Sequence, residues 1–62
     1  MFKLYDVVIA KSDFEKVPKG TLGTILIIHE DKKHFEVEFV DKDGQTLNII
    51  TVKKSDIMIW KQ

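Results

Sequence analysis

Phe35-Glu36-Val37-Glu38-Phe39 alternates apolar and acidic side chains without a break. Successive side chains of a strand point to opposite faces, so this stretch sets Phe35, Val37 and Phe39 on one face and the two glutamates on the other. A helix would mix the two sets around its circumference. The pattern therefore predicts a strand with a core on its aromatic side. Working outward, Glu30-Asp31-Lys32-Lys33 is a polar four-residue turn before it. Asp41-Lys42-Asp43-Gly44 is a hairpin turn after it, with Gly44 free to take positive φ.

The flanks supply partners for this strand. Leu4 to Ile9 is rich in β-branched and aromatic residues and reads as a first strand. Lys11 to Lys19 is polar, holds the single proline and ends at Gly20, which reads as a long loop with Phe14 and Val17 folded back as a plug. Thr24 to Ile28 is a second strand whose unbroken apolar run predicts burial on both faces. Thr46 to Val52 is a fourth, with Leu47 and Ile49 on one face and Ile50 and Val52 on the other. Lys53 to Asp56 reads as a turn or a single 3₁₀ turn, and Ile57 to Trp60 as a fifth strand.

An open sheet of five such strands would leave one apolar face bare and two edges unpaired. The expectation is an all-β fold in one domain, residues 1–62: a small, closed or nearly closed five-stranded barrel. The long first loop, two hairpins and one-turn break follow the SH3-like order. An OB-like barrel would need a longer chain and a helix between strands.

Composition limits what such a domain does. Sixty-two residues bury a thin core, and no cysteine is present to staple it. The longest apolar stretch, Ile25 to Ile28, falls far short of the roughly 20 residues of a membrane helix. Met1 to Asp6 carries no signal-peptide run, so a soluble cytoplasmic protein is expected. Ten lysines balance ten acids, and there is no arginine. Arginine supplies the forked contacts that dominate phosphate and guanine recognition, so this balance argues against nucleic acid as a partner. Residues 29 to 44 hold three lysines and six acids, a balance of −3 that suits a solvated hairpin.

Catalytic constellations are missing. Ser12 and Ser55 lie in polar loop segments, and neither is adjacent to a histidine. His29 and His34 flank the first hairpin turn, near Glu30 and Asp31, and could face each other across it. Both are also ordinary residues for a solvated hairpin end. Glu36 and Glu38 stand roughly 7 Å apart on one strand face, yet a barrel this small has no deep cleft to dry a general acid. Gly20-Thr21-Leu22-Gly23 lacks the Gly-Lys-Ser/Thr core of a phosphate loop. No enzyme activity, cofactor or metal is expected.

The apolar inventory exceeds what one barrel interior holds. Met58 and Trp60 should oppose the core-facing Ile57 and Ile59, and Leu26, Ile28 and Ile50 should also point outward. Exposed apolar patches on soluble domains mark interfaces, and Trp and Met are enriched there. These five residues are the predicted interface, with another protein or a second copy of the chain as partner. An accessory subunit, an antitoxin or an immunity protein would each fit.

Lys19-Gly20-Thr21-Leu22-Gly23-Thr24-Ile25, Phe35 to Phe39 and Asp43-Gly44-Gln45-Thr46 together resemble a bacterial family of short stand-alone domains of unknown function. Leu4 to Val8 and Val52-Lys53 with Asp56 match its two ends. The resemblance implies an SH3-like barrel and brings no catalytic or cofactor residues. More distantly, Gly20, Gly23 and Ile25 are similar to the glycine-punctuated strand entry of KOW domains and of the nitrile hydratase β-subunit barrel. That implies an RNA- or ribosome-associated alternative. Read as local structure alone, the same two glycines are a turn and a bulge.

Overall fold

A computed structural model describes residues 1–61. Its strands are β1 (Val7–Ala10), β2 (Leu22–Ile28), β3 (His34–Val40), β4 (Thr46–Lys53) and β5 (Ile57–Ile59), with one 3₁₀ turn at Lys54–Asp56. They form one antiparallel sheet in the order β4-β3-β2-β1-β5. The first four strands meander, and the fifth returns across the chain to pair with β1, bringing Val8 opposite Ile59. The molecule measures 31 × 25 × 17 Å. The short axis fits two sheet layers about 10 Å apart with side chains outside them, so the sheet curls over its own core. β4 and β5 are its two edges and do not pair with each other.

The core follows the alternation in β3. Phe35, Val37 and Phe39 are buried with Val8, Ala10, Ile25, Val52 and Ile57. Val17, from the long loop, is fully buried among them. The loop plugs the open end as expected. Phe14 and Val17 exchange backbone hydrogen bonds of 2.8 and 2.9 Å, and the Phe14 ring stacks on Phe39 at 6.2 Å between centroids. At the other end Phe2 meets Phe35 edge-on at 5.3 Å.

Gly23 has a different role from the bulge suggested by its spacing. It pairs with Val8 on one side and Phe39 on the other. A Cβ there would lie 2.6 Å from Val37 Cγ1 and 2.7 Å from Phe39 Cδ1. Residue 23 must lack a side chain because the Phe39 ring occupies that space. Gly20 is the turn residue, at φ +93°.

Three expectations are corrected. The first strand begins at Val7, not Leu4. Leu4 and Tyr5 belong to a turn in which the Lys3 N–H donates to the Asp6 carboxylate at 2.9 Å, and Tyr5 sits at φ 69°. Second, β2 is not buried on both faces. Its register slips at Leu26, which leaves Ile25 in the core but turns Ile27 outward, 54% exposed. Third, β4 slips at Leu47, between the pairs Phe39–Asn48 and Val40–Thr46. Leu47 and Ile50 then both pack on the core while Ile49 faces out. Two one-residue insertions reverse the facing that strict alternation predicts.

Truncating Phe39 to Ala should cost about 3–5 kcal/mol, comparable to the whole stability of a domain this size. Gly23→Ala should cost about 1–3 kcal/mol by overpacking, although it adds only a methyl group. Urea unfolding measures both. A Gly23→Ala protein as stable as the parent would contradict the packing of Phe39 over residue 23.

Candidate functional site

The five residues predicted as an interface separate into three places. Met58 and Trp60 lie on the outer face of the sheet, at the β5 edge. Met58 is half-exposed, and Trp60 is half-buried but not among the side chains packed on the core. Leu26 and Ile28 line a groove at the N-terminal end. Ile28 also packs on the core from there, as does Ile50, which therefore does not point outward.

Strand register assembles the outer face. Met58 pairs with Ile9, Ile9 with Leu22, and Leu22 with Val40. This is one apolar row across four strands, with none of its members buried. Beside it, the Trp60 N–H donates to the Val7 carbonyl at 3.0 Å, and Val7 is itself 37% exposed. Ile9, Leu22, Val40 and Val7 were missed in the sequence, because they become neighbours only once the strand order is known.

Beyond this row the outer face carries two exposed isoleucines, Ile27 and Ile49, among polar side chains bonded to one another across the strands. Thr51 Oγ1 donates to both Glu36 carboxylate oxygens, at 2.8 and 2.7 Å. His29 Nε2 lies 2.6 Å from Glu36 Oε2, and Thr46 Oγ1 donates to Glu38. The Thr51 hydroxyl first, and the His29 ring next, hold the Glu36 carboxyl below its ordinary range. Each glutamate is thus tied to the neighbouring strand.

The groove lies between residues 1–4 and the end of the β2–β3 hairpin. Its volume is about 1010 Å³, and its walls include Phe2, Leu4, Leu26 and Phe35. Lys32 and Lys54 stand where it meets a second depression, which Lys33, Lys53 and His34 also line. The pairing of His34 with Lys53 and a 3.0 Å bond from the Lys54 N–H to the Lys33 carbonyl bring the two lysine pairs together.

Asp31 shapes this end. Its carboxylate accepts the Lys33 N–H at 2.7 Å, the His34 N–H at 3.1 Å and the His34 ring Nδ1 at 2.6 Å. The Lys33 amide first, and the His34 ring next, bring its pKa down to about 2. His29 and His34 do face each other, with ring centroids 6.1 Å apart. Each is bonded to its own carboxylate, and among the described residues no group of three His, Asp or Glu is placed to hold a metal ion. Nor, among those residues, is any helix long and apolar enough to cross a membrane.

The chain belongs to a family defined as a domain of unknown function, DUF4926, whose model matches residues 4–59. That span runs from the first residue of the Leu-Tyr-Asp-Val-Val segment to the end of β5. No curated protein and no solved structure matches the chain.

The Asp31 turn yields a pH prediction. Its carboxyl titrates at about 2 when folded, against 3.8 ordinarily. Between these values the folded state binds fewer protons than the unfolded one. The resulting stability is present above the ordinary value and is lost as pH falls through about 2. Carboxyl ¹³C shifts followed against pH should place the Asp31 midpoint near 2. A midpoint at the ordinary value would show that the turn does not hold its carboxylate.

Proposed function

We propose that this member of the DUF4926 family is a non-enzymatic, cytoplasmic protein-binding module built on an SH3-like barrel. It works by contact through the apolar row on the outer face of β1 and β5. The row carries the reading. Polar groups on the neighbouring half of the face are bonded to one another around Ile27 and Ile49, whereas the row is a continuous apolar line, with Met58 half-exposed and Ile9, Leu22 and Val40 partly exposed. Leaving such a row in water is unfavourable, and covering it with a second apolar surface releases that cost. The meander with a returning fifth strand and a plugged first loop supports the barrel family.

The composition also suits association. A net charge of zero does not hold two copies or a partner apart. A second copy of the chain or the face of a larger protein would both cover the row.

One feature favours the RNA-associated alternative: the four lysines gathered at the hairpin end. Glu30, Asp31 and Asp56 lie in the same two connections, so four cations less three anions leave +1 there. That is too little for tight phosphate binding without arginine.

Met58→Lys places a charge at the exposed β5 end of the row and should strongly weaken association while the barrel stays folded. Trp60→Ala should weaken it by about 2 kcal/mol or more, as at other interface hot spots. Sedimentation of the parent and both variants reads self-association, and retention from native lysate reads a different partner. Indistinguishable behaviour of parent and Met58→Lys in both measurements would refute the reading. RNA and DNA should give no gel shift at sub-micromolar protein in about 150 mM salt, and a clear shift would favour the alternative.

A further inference from the structure

Strand β2 is longer than its neighbour β1. Pairing with β1 covers Leu22 to Thr24, and the turn before β1 extends this by one residue. There the Tyr5 N–H donates to the Ile25 carbonyl at 2.8 Å, and the Ile25 N–H to the Asp6 carbonyl at 3.1 Å. The chain then bends away through the Lys3–Asp6 turn. Leu26, Ile27 and Ile28 continue, and among the described residues β3 is the only strand beside them.

The His29 N–H donates across to the His34 carbonyl, so at His29 the backbone groups point towards β3. Alternation along the strand directs the N–H and C=O of Ile28 to the opposite edge. Among the described residues, no loop backbone or side chain bonds to them. That free edge lies in the groove walled by Phe2, Leu4, Leu26 and Phe35, and Lys32 and Lys54 stand at its lysine-bearing end. Neither lysine is in an ion pair among the described residues.

We infer that this groove is a slot for an extended segment of a partner protein, apolar in its alternate side chains and carrying carboxylates. The segment would add as a strand along β2 at Leu26–Ile28. Main-chain bonds to the free edge supply affinity, and the apolar walls take every second side chain. Lys32 and Lys54 outnumber Glu30, the one carboxylate in the lining, and so favour acidic over basic segments. An acyl chain with an anionic head would satisfy the walls and the lysines, but it has no amide to meet the Ile28 backbone. The inference rests on the protein-contact reading only for the class of partner, because the groove lies apart from the outer apolar row.

The probe is an acetylated, amidated peptide of alternating valine and glutamate, titrated into ¹⁵N-labelled protein. Expected are shift changes at Leu26, Ile27, Ile28, Lys32 and Lys54, and slower exchange of the Ile28 amide. The doubly substituted Lys32→Glu, Lys54→Glu protein should bind roughly tenfold more weakly, as should a peptide with lysine in place of glutamate. Alternate N-methylation of the peptide, which leaves the protein untouched, should abolish binding. Met58→Lys should bind the peptide as the parent does, even if it no longer associates through the outer face. No shift changes at roughly millimolar peptide, binding unaffected by N-methylation, or binding of oleate in its place would each overturn the proposal.

Discussion

Phe39 and residue 23 compete for the same space, and the fold depends on that competition being settled by a glycine. The Phe39 ring lies over the Gly23 backbone in the adjacent strand and stacks on Phe14 from the long loop. One aromatic side chain thus joins β3, β2 and the loop in a single contact. Without it, Phe14 would lose the ring on which it stacks at the open end of the curled sheet. In so small a domain few other contacts are available to compensate. The glycine costs backbone freedom in the unfolded chain, and the close approach it permits offsets that cost.

The two bulges determine which surfaces exist. Leu26 and Leu47 each insert one residue, in β2 and β4, and each reverses the facing of the residues after it. Because of the first, Ile27 leaves the core side while Ile28 returns to it, and the strand reaches the groove with its edge uncovered. Because of the second, Ile50 joins Val52 in the interior and Ile49 is left outside. The surface of this protein is therefore set by irregularities in pairing as much as by which residues are apolar.

Such irregularities also divide the features legible in the sequence from those it concealed. The alternation at Phe35, Val37 and Phe39 is local to one strand and was fully readable, as were the turn at Gly44, the plug at Phe14 and Val17 and the opposition of Met58 to Ile57. A bulge is a relation between two strands, and no window along one strand contains it. The apolar run Ile25 to Ile28 consequently looked buried on both faces. Leu4 and Tyr5 looked like strand because their residue types favour one, while the Asp6 carboxylate holds them in a turn. Gly23 carried a visible signal, but of turn type, because close packing and a bend require the same residue. Alternation through β5 to Trp60 already sets Met58 and Trp60 opposite Ile57 and Ile59. Ile9, Leu22 and Val40 come from three different strands and needed the sheet order to be seen as one row.

The return of β5 to β1 has a kinetic consequence. Val8 meets Ile59 almost a whole chain length away, whereas every other strand pairing joins sequence neighbours. The meander can zip up through short loops, but the last ladder must wait for a closure that spans nearly the entire polypeptide. Until then one side of β1 is an unpaired template, with Val8 and Ala10 uncovered by Ile57 and Ile59. During synthesis the domain stays in that state until β5 has emerged from the ribosome. The interval between synthesis of β1 and release of β5 is when this protein is most exposed to pairing with the wrong strand.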